Sequence, residues 1–153
     1  MPEPWGARMV AEGGGHILQD ERPLWPQQRF HTTVLVTTRK VLEEQREPLK
    51  KLLRVHVALT RQWQRHPEEF IPHVNAAFGK VAGKPLPEPI LRDAFSRLAP
   101  AQDVMVEQLH TAAEHARQLG FVPSSDLTGM VDTSLLQEVL REEPGEGTPA
   151  ARP

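Results

Sequence analysis

The sequence predicts an α/β layered fold, and two observations predict it. The run Thr32–Thr38 (TTVLVTT) is uncharged, β-branched at nearly every position and apolar on both faces. Such a run reads as a strand buried on both sides, in a sheet covered front and back by helices. A long amphipathic segment follows after a short polar break. It places Leu49, Leu52, Leu53, His56, Leu59, Thr60 and Trp63 on one helical face, with Lys50, Lys51, Arg54, Arg61, Gln62 and Arg65 on the other. A buried strand feeding a long helix is the unit from which α/β layers are built.

The elements follow in order. Pro4 suits a first helical turn, so Trp5–Glu12 is expected to be a short helix with Trp5, Met9 and Val10 as its apolar residues, stopped by Gly13, Gly14 and Gly15. His16–Gln19 reads as a short strand. Asp20–Arg29, with Pro23 and Pro26 flanking Leu24 and Trp25, reads as a connection whose tryptophan is expected to pack against the rest of the chain. A turn or short helix is expected around Lys40–Gln45, then the long helix from about Glu47 to Arg65, ended at His66–Pro67. Pro67 opens a helix over Glu68–Val81, broken or bent near Pro72 and closed by Gly79 or Gly83. After a proline-rich link, Ile90, Leu91, Ala94, Phe95 and Leu98 share a helical face. Val104–Leu119 forms another helix, with Gly120 just past its end. Ser134 and Gln137 fit a capping box before Leu135, Leu136, Val139 and Leu140. The stretch 142–153, rich in Pro and Gly, has no means of building a core and is expected to be disordered.

This inventory holds about five helices and one clear strand. A strand apolar on both faces needs neighbours on both edges to satisfy its backbone. His16–Gln19 is too short to serve alone, so the rest of the sheet is expected to come from outside these residues.

With 153 residues the prior is one domain. A composition of 39% hydrophobic and 25% charged residues is ordinary for a soluble protein, and a formal charge of −2 offers no field for nucleic acid or a membrane surface. The absence of cysteine excludes disulfides, thiolate metal sites and cysteine nucleophiles. No apolar stretch approaches the ~20 residues of a membrane span. The N-terminus lacks a basic start before an apolar core, so a signal peptide is not expected.

Few residues promise chemistry. His110 and His115 are five apart and do not share a helical face, and no H-E-x-x-H is present, so no metal is expected. The phosphate and nucleophile motifs G-x-x-x-x-G-K-[ST], G-x-G-x-x-G and G-x-S-x-G are missing, and Gly13–Gly15 reads as a helix stop. The basic face of the long helix reads as solvated, and His56 as a packing residue. Glu43, Glu44, Glu142 and Glu143 lie on polar segments with nothing to shift their titration. No enzymatic constellation and no cofactor are expected.

Several stretches resemble a known family. Pro2-Glu3-Pro4-Trp5 opens a helix, followed by a glycine stop, Asp20-Glu21 and Trp25. Thr33–Val36 comes next, then LLRVHVALTRQWQRHPEEF from Leu52, GKPLPEPILRDAFSRL from Gly83, AAEHARQLGF from Ala112 and DTSLLQEVL from Asp132. Their order and spacing over Pro2–Leu140 resemble the C-terminal half of ABC-transporter solute-binding proteins of the nitrate, taurine and aliphatic-sulfonate group. His66 departs from that pattern, which usually has an asparagine there.

The resemblance implies the C-terminal portion of a two-lobed, type II periplasmic-binding-protein fold. Residues 1–22 would end the second lobe, 23–31 would cross the hinge and 32–141 would complete the first lobe. It implies a small anionic solute held together with an N-terminal half, an ABC-transporter permease as partner, and a periplasmic or other extracytoplasmic location. Neither nucleic acid nor membrane insertion is implied. The residues that match its cleft motif are Glu3 and Trp5. Read without the resemblance, Glu3 is a helix-start carboxylate and Trp5 a core anchor. The alternative from another class is a self-sufficient helical interaction module, without ligand or catalysis.

Overall fold

The computed structural model describes residues 2–142. Among them lie seven α-helices, two 3-10 turns and no strand. The helices are α1 (Trp5–Gly13), α2 (Arg39–Glu44), α3 (Arg46–Arg65), α4 (Pro67–Ala82), α5 (Glu88–Phe95), α6 (Val106–Gln118) and α7 (Ser134–Glu142). The helical inventory agrees with the periodicity. The strands do not form.

Residues 33–38 belong to no regular element, and Val34, Leu35 and Val36 are 43%, 64% and 81% exposed instead of buried. The cause is the lack of any other strand among the described residues: a strand exists only through its ladder partners. His16–Gln19 is likewise irregular, with Ile17 and Leu18 exposed. The α/β expectation is therefore corrected to an all-helical arrangement over the described residues. Of the expected disordered tail, Glu142 ends α7 and residues 143–153 lie outside the described part.

The described residues form two compact units: 2–32 with 60–101, and 33–59 with 102–142. In the first, α1 lies against α5 through Ala7, Ile90 and Ala94, all buried; two alanines let the backbones approach closely. α4 packs on α5 through Ile71, Leu86 and Leu91, with Phe78 and Phe95 at the margin. Trp63, near the end of α3, stands edge-on to Phe95 at 4.6 Å and tilts over Phe70 at 5.3 Å.

The link after α4 folds back because Asn75 grips it twice. The Leu86 N–H donates to Asn75 Oδ1 and Asn75 Nδ2 donates to the Leu86 carbonyl, both at 2.8 Å. Gly79 makes room, since a Cβ there would meet the Pro85 nitrogen at 3.0 Å. Pro72 does not break α4; it lies in the second turn of one continuous helix closed by Gly83 in the left-handed conformation.

The second unit is built on the first part of α3 with α6 and α7. Here the apolar face expected on α3 is buried only in part: Leu49 and Leu53 are half-buried, and the buried face is turned towards Lys50 and Val57. Lys50 and Val57 are buried, whereas Leu52, His56 and Leu59 are exposed. The basic face is thus not simply solvated: carboxylates of α7 turn part of it inward. Leu135 and Val139 of α7 and Gln108 of α6 complete the buried set. Ser134 is the first helical residue of α7 instead of its cap, because the Asp132 carboxylate accepts the Ser134 N–H at 2.8 Å. Gly120 follows α6 at positive φ, as the helix stop requires.

Candidate functional site

The two residues singled out by the cleft motif sit at the head of α1, and the fold gives them different surroundings. The Glu3 carboxylate turns back over the helix start and accepts the Ala7 N–H at 3.0 Å. A negative charge is favoured there, where free N–H groups and the helix dipole meet it. Its other oxygen accepts from Arg97 Nε at 2.6 Å. Arg97 in turn holds Asp93 through Nη1 at 2.9 Å and Nη2 at 2.6 Å. Those two carboxylates raise the Arg97 pKa further, Asp93 more than Glu3, and Arg97 lowers that of Asp93. The absence of a side chain at Gly6 matters here, because a Cβ would come within 3.0 Å of Glu3 Oε1.

Trp5 faces elsewhere. Its ring stands edge-on to Phe78 at 6.4 Å, and the Arg8 guanidinium lies 5.7 Å from its centroid. Arg8 also reaches Glu12 at 2.6 Å, one turn on. Trp5, Arg8, Met9, Glu12 and Gly13 line an open concavity of about 510 Å³. An apolar floor with a guanidinium and a carboxylate at the rim is chemically suited to a small organic ion. α1, which carries these residues, is anchored on α5 through Ala7 and stopped by Gly14 at φ 66°.

Glu3 and Trp5 are therefore close in the chain but engaged differently: Glu3 faces Arg97 and Trp5 lines the concavity. Arg8 and Glu12 were not singled out from the sequence, although their spacing of three and seven from Trp5 puts them on its face. Arg97 carries no such signal, being 94 positions from its partner.

Around the same unit, Asp20 is held down to about 2 by the Arg22 side chain and backbone N–H, and Trp25 stacks on Phe30 at 5.5 Å. Among the described residues no helix is long and apolar enough to cross a membrane, and no cluster of three or more histidines and carboxylates is placed to hold a metal.

Residues 1–75 match the NMT1-like family, which comprises solute-binding proteins of nitrate, taurine and sulfonate ABC transporters. A search of the curated proteins and a search of the solved structures each found no match. The matched residues include Glu3, Trp5, Arg8 and Glu12 together with α2, α3 and the start of α4. The family is one of binding proteins and not of enzymes. Over residues 1–75, just under half of its 153, the chain is similar to the NMT1-like family of ABC-transporter solute-binding proteins.

Proposed function

We propose that the chain is the C-terminal part of the substrate-binding component of an ABC transporter importing a small anion such as an aliphatic sulfonate, taurine or nitrate. The family match over residues 1–75 is the observation that carries this reading. The unpaired, exposed run Val34–Val36 supports it, since a β-branched run of that kind gains its backbone partners when a neighbouring sheet is supplied. In this reading, residues 1–22 end the second lobe, 23–31 cross the hinge and 32–141 belong to the first. Trp5 faces the solute cleft, Glu3 secures the helix start beside it, and a permease receives the closed protein outside the cytoplasm.

The test is a thermal-shift series with taurine, an alkanesulfonate and nitrate. It is run on the chain alone and on the chain co-expressed with the N-terminal half of an NMT1-like protein. Solute at a hundred times its Kd stabilises by about 2.7 kcal/mol, which raises Tm by about 5–10 °C in a chain of this size. If no solute moves Tm in the paired form, the transport reading fails.

A helical interaction module is the second reading. It is favoured by the all-helical arrangement of the described residues and by the exposed Leu52, Val55 and Leu59 on α3. A compact monomer that melts cooperatively alone and ignores the N-terminal half would support it.

A further inference from the structure

Five charged side chains form a ladder between α3 and α7. Arg46, Lys50 and Arg54 recur every four residues on α3, and Glu138 and Glu142 do the same on α7. Arg46 Nη2 reaches Glu138 at 2.5 Å and Arg54 Nη2 reaches Glu142 at 2.6 Å. Between them Lys50 Nζ bonds both carboxylates, that of Glu142 at 2.5 Å. The outer rungs are open to solvent, but the Lys50 side chain is 8% exposed. Asp132, just ahead of α7, adds a further charge near Arg46. Among the described residues, the titratable groups that shift the ladder carboxylates are Lys50, Arg46 and Arg54.

We propose that α7 is a releasable latch, seated on α3 by this ladder and let go when Glu138 and Glu142 are neutralised. The reason lies in Lys50. A buried ammonium is tolerated while anions meet its N–H groups, and losing them leaves an uncompensated charge that drives the two helices apart. Both carboxyls titrate below their ordinary 4.5, held down first by Lys50 and then by Arg46 or Arg54. Their folded pKa values are depressed, so their contribution is present above about pH 4.5 and lost as pH falls through the folded values. The aromatic cluster Trp63–Phe70–Phe95 in the other unit contains no titratable group and outlasts the release.

All three tryptophans, Trp5, Trp25 and Trp63, lie in the first unit, so their emission reports that unit while amide exchange reports α7. The full chain is followed by hydrogen exchange of residues 135–141 and by tryptophan emission from pH 7 to 3. Protection factors over α7 are expected to fall about tenfold or more before the emission changes. The double variant Glu138→Gln, Glu142→Gln is expected to show that loss already at pH 7. Lys50→Met, which removes the buried ammonium, is expected to keep α7 protected until the emission itself moves. Loss of α7 protection only in step with the emission, or a Lys50→Met curve identical to wild type, overturns the latch.

Discussion

Removing the guanidinium from Arg97 tests what the Glu3 carboxylate is for. The pair is 2.6 Å apart, with side chains only 11% and 20% exposed. Breaking one partner of a fully buried pair costs about 3–5 kcal/mol, and an exposed pair is worth about 0–1. Glu3 keeps the Ala7 N–H and the site is partly wet, so Arg97→Met is expected to cost about 2 kcal/mol. Glu3→Gln retains an acceptor for the Ala7 N–H and is expected to cost about 1 kcal/mol. The double variant should then be less destabilised than the sum, by a coupling of about 1 kcal/mol. Urea unfolding followed by tryptophan emission measures all four corners, and Trp5 and Trp63 lie in the same compact unit as the pair. In thermal terms Arg97→Met should lower Tm by about 4–8 °C. A coupling below about 0.3 kcal/mol refutes the structural role of Glu3. So does a Glu3→Gln variant of unchanged stability that has lost the solute-dependent Tm shift.

Three further outcomes are expected. Asn75→Ala leaves the N–H and carbonyl of buried Leu86 without partners and should cost about 2–4 kcal/mol by urea unfolding, whereas exposed Gln62→Ala should stay within about 0.5. Gly79→Ala brings a methyl to 3.0 Å from the Pro85 backbone nitrogen, so despite better helix propensity it should destabilise, by about 1–2 kcal/mol, and a gain in Tm would contradict the close approach. The Glu114 carboxyl is held near 2 by Arg117, then Gln118 and Ser125. Its stabilising contribution therefore holds above about pH 4.5 and fades as pH falls towards 2. A side-chain NMR titration should find it there, with Ser125→Ala moving it upward; a midpoint near the ordinary 4.5 would show that the contacts around it are not formed.

Much of this protein was written into short-range pattern. Helix positions follow from apolar residues three and four apart, and their ends from Gly14, Gly83 and Gly120, because these preferences are decided within a few residues of the chain. Glu3 and Trp5 were picked out by resemblance and not by local pattern, and the family match over residues 1–75 agrees with that resemblance.

What escaped the sequence depends on partners far away in it. Thr32–Thr38 has every local mark of a strand, yet a strand is completed by another strand, and the described residues contain none. Lys50 looked like one solvated cation among several until Glu138 and Glu142, 88 and 92 positions on, drew it inward. Arg97 reached Glu3 across a similar span. Sequence periodicity specifies which face of a helix is apolar; only the tertiary arrangement specifies which face finds a neighbour, because burial belongs to the pair and not to the helix.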